Sequence, residues 1–557
     1  MSTRLFSTLF LTLAAFTLPV AAAEPSPPRL AVVISLDQFR ADYLMRFRPY
    51  FSEGGFKRLL EGGADFQNCH YRHSITQTAP GHATILSGVH ANLHGITSNE
   101  WLDRESWEMI NSVEDRDSPL VGINPAELGP VAAANPAKTG RSPRNFQAMT
   151  VGDQLKQRFG TDAKVFAASN KDRSAILLGG KKADAAYWDE NGTIVTARYY
   201  RDTLPAWVQA FNAERRVHAT FGKTWERLLD PAIYDAVQGP DDAPGEAEIV
   251  GFGRTFPKKV NGGKDTITPA FYTAFDNSPF SAEFLGEFVE RAIREEKLGH
   301  HAATDLLGVS FSQIDTIGHN YGPQSHEIMD SVVRMDRVLA RLLDCIDREV
   351  GLTKCVVVLT ADHGAAPLPE QVEAMRASSS GGRVKTAEMD ATVRRALETA
   401  FCPLPEKEYW FTRDNAGYHL RPSALAARNV GAKDAAQVMK DAIAPLPYIA
   451  ETYTRDELMT ADVVGESHRS MMRRSYRAAS DRDVVYVFRP NFLSKAGSGT
   501  SHGTPYDYDT HVPQLWFGAG VPRGVHSERV GVDDIAPTLA GLLGVSAPPE
   551  AKGRRLF

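Results

Sequence analysis

Leu30-Ala-Val-Val-Ile-Ser-Leu36, followed at once by Asp37, decides the fold. The run is apolar but for one serine and rich in β-branched residues, as befits a strand buried on both faces. Runs of the same character recur at Val165–Ala168, Leu306–Phe311, Cys355–Thr360, Val484–Phe488 and Val512–Phe517. Helical patterns lie between many of them. Ile328, Val332, Met335, Leu339, Leu342 and Ile346 recur at helical spacing, Ser278-Pro279 starts a second helix reaching about Glu296, and Asp533 to Leu543 is a last one closed by Gly544. Strands alternating with helices predict an α/β fold: a central, mostly parallel sheet with helices on both faces. Ligands of such sheets bind beyond the carboxyl ends of the strands. Polar residues gather there: Asp37 after the first run, Lys171 and Arg173 after the second, Asp315 after the third, Asp362 and His363 after the fourth.

Outward from this frame, 557 residues exceed one small core. A net charge of −6 and 43% hydrophobic content exclude a chain-wide nucleic-acid or membrane surface. Met1 to Ala23 reads as a secretory signal, with Arg4 in a positive n-region, a short apolar Leu9–Val20 and a small-residue cleavage site at Ala21-Ala22-Ala23. The expectation is an exported protein, periplasmic or secreted, monomeric and free of the membrane after cleavage, with residues 24–557 as one catalytic domain. Two stretches break the alternation. About 185–275 is expected to cap the site, and about 370–480 to form a small inserted α/β subdomain. Of the four cysteines, Cys345 and Cys355 are compatible with either a bridge or two buried thiols.

The segment Thr76-Gln-Thr-Ala-Pro-Gly-His82 supplies a nucleophile. A helix is expected to begin near Thr78, with Pro80 in its first turn. A hydroxyl there faces free backbone N–H groups and the positive end of the helix dipole, which favour phosphate. Thr78 as a plain N-cap fits the segment equally well, and Thr76 and Thr84 compete by residue type. A neutral threonine hydroxyl is a poor nucleophile until a coordinated divalent metal lowers its pKa.

Carboxylates and imidazoles suited to such metals are present. Asp37, Asp362, His363 and the Thr78 oxygen form one candidate group; Asp315, His319 and His502 form another with positions left open. This ligand chemistry suits Zn²⁺. Asp315 and His319 are four apart, so one helical turn or a tight loop brings both to one ion, while Asp362 and His363 are adjacent and must sit where a strand ends. Lys171 and Arg173 flank one residue and, in an extended chain, would project to the same side to grip phosphate. Asn99 in Ser98-Asn-Glu-Trp101 adds an amide donor.

At these residues the chain resembles the alkaline phosphatase superfamily, and within it the exported, broad-specificity enzymes with a threonine nucleophile. Thr78-Ala-Pro-Gly-His, His94-Gly-Ile-x-x-Asn99-x-Trp101, Ala361-Asp-His-Gly364 and His502-Gly-x-Pro505 carry the resemblance in combination. It implies two zinc ions, one on Asp37, Thr78, Asp362 and His363, the other on Asp315, His319 and His502. It also implies a phosphate-binding trio of Asn99, Lys171 and Arg173, small phosphate esters as substrates, and a covalent phospho-threonine. Related nucleotide pyrophosphatase/phosphodiesterases generally lack the Lys-x-Arg pair, so monoesters are expected. Sulfatases differ at the nucleophile. Lys171 falls where the serine-type enzymes hold Mg²⁺, so no third metal is expected.

Overall fold

The structure, a computed structural model, describes residues 27–375, 381–477 and 482–557. Leu30–Leu36 is a fully buried strand at the middle of a ten-stranded sheet. It pairs in parallel with Asp305–Phe311 on one side and Cys355–Thr360 on the other. Val165–Ser169 and Ala185–Glu190 extend the parallel block, and an antiparallel strand flanks the block on each side, Gln514–Gly518 beside Cys355–Thr360 and Thr193–Ala197 beside Ala185–Glu190. Burial on both faces explains the unbroken apolar runs: neighbouring residues on a strand point to opposite faces, and both faces are covered. Phe166 packs against Phe288 of the helix Phe280–Glu295, ring centroids 6.4 Å apart. Ala167, on the other face, meets the helix Asp172–Gly179, which also closes on Gly308, where a side chain would stand 3.2 Å from the Leu178 Cβ. The helix expected around Ile328–Ile346 runs from His326 to Glu349.

A separate four-stranded antiparallel sheet is ordered Phe411–Arg413, Gly417–Leu420, Val484–Phe488, Ile449–Thr454. Met389, Val393 and Leu397 of one helix and Ala435, Met439 and Ile443 of another fill its core. The expectation that Val484–Phe488 belongs to the main alternation is therefore corrected, and the inserted sheet reaches past residue 480. An apolar run reports burial, not which sheet buries it. Val512–Phe517 also shifts: the strand is Gln514–Gly518 and runs antiparallel to Cys355–Thr360.

The stretch expected to cap the site from about 185 opens instead within the main sheet. Ala185–Glu190 and Thr193–Ala197 are a hairpin of the main sheet. Its turn, Asn191-Gly192, has positive φ at both residues (51° and 77°), the Asn-Gly turn that matches strand twist. The cysteines are free thiols. Cys345 turns to the carbonyl of Glu290 and Cys355 to that of Gly351, so the Cys345–Cys355 alternative resolves as two buried thiols. The signal segment Met1–Ala23 lies outside the described residues.

Candidate active site

Asp37, Lys171, Arg173, Asp315, His319, Asp362 and His363 follow strands of the parallel block, and Thr78, Asn99 and His502 come from other segments. The Asp37 N–H still bonds the Phe311 carbonyl at 2.9 Å, fixing it one step past the last rung. Asp362 and His363 follow the strand that ends at Thr360. Asp315 and His319 lie one turn apart on the helix Gln313–Tyr321. Thr78 is the first residue of the helix Thr78–Ser87, which is buried along its whole length. The Lys-x-Arg pair differs from expectation. Lys171 is the N-cap of the helix Asp172–Gly179 and Arg173 lies in its first turn, so helix geometry aims them, not an extended chain.

These elements bring the ligand candidates together. His363 Nε2 lies 3.4 Å from Asp37 Oδ1, 3.5 Å from Asp362 Oδ2 and 3.4 Å from Thr78 Oγ1. Asp315 Oδ1 lies 3.2 Å from His319 Nε2 and 3.7 Å from His502 Nε2. The Nδ1 atoms of His319, His363 and His502 face the carbonyls of Thr500, Gly364 and Thr76 at 2.9, 2.9 and 2.8 Å. A carbonyl only accepts, so each Nδ1 carries a proton and, in the neutral ring, each Nε2 turns its lone pair inward, the tautomer a metal ligand needs.

The electrostatics fit cations. Burial, and then Asp37 beside it, push the Asp362 carboxyl well above its usual range. Among the described residues, Asp37 Oδ1 and Asp362 Oδ2 are buried without a hydrogen-bond partner. Burial lowers His363 to about 3 and His502 well below its ordinary value, so both imidazoles are neutral. Crowded carboxylates beside neutral, pre-oriented imidazoles are a donor set for divalent ions. Two clusters have donor atoms within 4.8 Å of one another: Asp37, Asp362 and His363, and Asp315, His363 and His502. The second has His363 where the sequence reading had His319. His363 and His502 stack at 3.6 Å, which brings both nitrogens near Asp315, while His319 approaches the same carboxylate from its own helix.

The competing hydroxyls separate. Thr76 Oγ1 donates to the Thr504 carbonyl and Thr84 Oγ1 to that of Pro80, both at 2.9 Å. Thr78 is no N-cap, since Gln77 takes that place, and its Oγ1 faces only His363 Nε2. Asn99 Oδ1 accepts from the Ala79 N–H at 2.8 Å, which turns its amide NH₂ outward beside Thr78. Lys171 Nζ bridges Asp37 at 2.7 Å and Asp315 at 2.5 Å. Burial works against this ammonium, but Asp315 and Asp37 outweigh it and raise its pKa. Arg173 Nε is buried without a partner. Its neighbour Asp172 is held by Arg141 at 2.6 Å, which secures the turn.

Three supporting residues escape the sequence reading. Gln77 Oε1 accepts from Ser98 Oγ and the Asn99 N–H, fixing the Asn99 loop to the helix that Thr78 begins. Asp509 accepts from the N–H groups of Gly503 and Thr504 and so holds the His502 loop. Gln38 contacts both ligand groups. Among these, adjacency to Gln77-Thr78 and Asp37-Gln38 is the only signal in the sequence. His82 bridges the Thr78 carbonyl and Ser310 Oγ, both at 2.8 Å.

Comparison with known proteins agrees with this geometry. The sequence model of the type I phosphodiesterase / nucleotide pyrophosphatase family matches residues 31–447. Alkaline phosphatase PhoV of Synechococcus elongatus is 30% identical over 95% of this chain and 92% of its own length. The crystal structure of wild-type alkaline phosphatase PafA superposes with a TM-score of 0.87 at 28% identity, covering 95% of this chain and 98% of that one. A PafA variant substituted at one threonine, one asparagine, one lysine and one arginine superposes with a TM-score of 0.86, at the same identity and coverage. With the sheet, the strand-end ligands and these matches in hand, the chain belongs to the type I phosphodiesterase / nucleotide pyrophosphatase family of the alkaline phosphatase superfamily.

Proposed function

We propose that this protein is a zinc-dependent alkaline phosphatase that hydrolyses phosphate monoesters through a covalent phospho-threonine on Thr78. The observation that carries the reading is the buried, uncommitted Thr78 hydroxyl, set between the inward-facing ligand cluster and three donors: Asn99, Lys171 and Arg173. The positions substituted in the PafA variant have the spacing of Thr78 to Asn99 and of Lys171 to Arg173. Asp37, Asp362, His363 and Thr78 would hold one ion, and Asp315, His319 and His502 the other. Divalent ions bound there would lower the pKa of the Thr78 hydroxyl and neutralise charge on the leaving oxygen.

The chain's own residues do the rest. Thr78 Oγ forms the new bond to phosphorus as the ester P–O bond breaks, and water later releases phosphate and restores the hydroxyl. The N–H groups at the start of the Thr78–Ser87 helix favour the phosphoryl charge. The Asn99 amide and the Arg173 guanidinium donate to non-bridging oxygens, with the Lys171 ammonium beside them, where charge spreads in a loose transition state. Residues Met1–Ala23 support export to the periplasm or beyond, and among the described residues no helix is long and apolar enough to cross a membrane.

The testing experiment compares kcat/KM on p-nitrophenyl phosphate and bis-p-nitrophenyl phosphate with the zinc-loaded protein at alkaline pH. The monoester should win by a factor of at least ~100 if the trio contributes as oxyanion donors do. A diester preference would move the activity to the phosphodiesterase side of the family. A second expectation concerns metals. Chelation should abolish turnover and zinc alone should restore it, with no further gain from Mg²⁺, because the Lys171 ammonium already serves Asp37 and Asp315. A several-fold activation by Mg²⁺ over the zinc enzyme would refute that role for Lys171.

A further inference from the structure

Gln38 follows a candidate ligand directly, is 1% exposed and has φ of 64°, a left-handed conformation that side-chain-bearing residues rarely adopt. Such backbone persists only where the surroundings hold it, and functional sites are where it collects. Its N–H donates to Asp362 Oδ1 at 3.1 Å and its Nε2 donates to Asp315 Oδ1 at 2.6 Å. One residue therefore grips a carboxylate from each ligand group, by backbone on one side and by side chain on the other. The bond to Asp362 Oδ1 leaves Oδ2 toward His363, and the bond to Asp315 Oδ1 leaves Oδ2 to Lys171.

A second residue answers to it. Gly318 lies inside the helix that carries Asp315 and His319, where glycine lowers helix stability. A Cβ on Gly318 would stand 2.1 Å from Gln38 Oε1 and 3.2 Å from its Cδ. The glycine makes the space in which the amide reaches Asp315. The strained turn and the weakened helix meet at one contact, which packing alone does not call for.

We propose that Gln38, seated against Gly318, is a positioning residue that sets the two ligand groups in register by orienting Asp315 against Asp362. The inference rests on the two-metal reading above. Residues that orient ligands in this way typically contribute 10–100-fold to metal affinity.

The test uses the full chain loaded with zinc. Gln38→Met keeps the size of the side chain and the backbone N–H to Asp362 but removes the donor to Asp315. Gly318→Ala keeps every hydrogen-bonding group but evicts the amide. Zinc stoichiometry and affinity are read by competition with a chromogenic chelator, and the melting temperature of the metal-free protein is read alongside. Wild type should hold two ions. Each variant should release one of them at least ~10-fold more readily than wild type while keeping the other. A packing role would instead lower the melting temperature of the metal-free protein and weaken both ions alike. Unchanged affinities in Gln38→Met, or equal weakening of both ions, would overturn the role of Gln38. If Gln38→Met does not fold, Gly318→Ala decides by the same criterion. Wild type without stoichiometric zinc would overturn the two-metal reading together with this inference, an outcome distinct from two tightly held ions in wild type and variant alike.

Discussion

Thr78→Ala is expected to keep both metal ions and lose turnover of phosphate monoesters by a factor on the order of 10⁴ or more, as when a nucleophile that acts as part of a unit is removed. The size follows from the lack of a substitute. Thr76 and Thr84 spend their hydroxyl protons on backbone carbonyls, and neither could attack without giving up its bond. Thr78 begins a helix that is buried throughout, and the change to alanine removes no partner that the fold needs. Folding should therefore stay close to wild type, and so should zinc content, because Asp37, Asp362 and His363 remain to hold the ion that Thr78 shares. Two measurements check it. Steady-state kcat on p-nitrophenyl phosphate gives the loss, and acid-quenched mass spectrometry of wild type should find one phosphoryl group on the peptide holding Thr78, absent from the variant. Wild-type turnover in Thr78→Ala, or a phosphoryl group elsewhere, would sink the assignment.

The main sheet was legible because it is buried on both faces. Leu30–Leu36 and Leu306–Phe311 are apolar but for one serine each for that reason, and the acids just past them stand out by contrast. What the sequence did not disclose has equally physical causes. The strand at Val484–Phe488 is as apolar as those of the main sheet, and nothing local says that Gly417–Tyr418 and Ile449–Thr454 are its partners. The Asn191-Gly192 turn was readable as a hairpin, but its Gly- and aromatic-rich surroundings drew it into the cap. Among the site residues, spacing allowed Asp315 and His319 one turn of helix or a tight loop, and the structure has the helix. It could not reveal that Lys171 would be a helix N-cap reaching two carboxylates 134 and 144 residues away. The supporting residues Gln38, Gln77 and Asp509 are ordinary polar side chains whose role exists only through contacts between distant segments. Chemistry-bearing residue types announce themselves in a sequence; the residues that aim them do not.

The second large effect separates substrate classes. Arg173→Ala is expected to lower kcat/KM on a monoester by roughly 10²–10³-fold, the usual loss for one donor to a developing oxyanion, and on a diester by no more than about tenfold. A monoester dianion offers three non-bridging oxygens and carries two charges, whereas a diester offers two oxygens and one charge. The guanidinium is suited to the richer group. Its Nε is buried without a partner, and Asp172, at 3.8 Å, is engaged more closely by Arg141 at 2.6 Å. A buried donor left unmatched is costly, and a phosphate oxygen is the acceptor that would match it. Because the Asp172–Arg141 pair and the Asp172–Gly179 helix hold the turn independently, truncation at Arg173 should not displace Lys171 from Asp37 and Asp315. The ratio of monoester to diester efficiency should therefore collapse by at least ~10-fold while zinc content stays near wild type and the diester efficiency falls by no more than about tenfold. Equal losses on both substrates would mean that Arg173 grips an oxygen common to the two esters, and the argument from the Lys-x-Arg pair to monoester preference would fail even if the threonine mechanism stood.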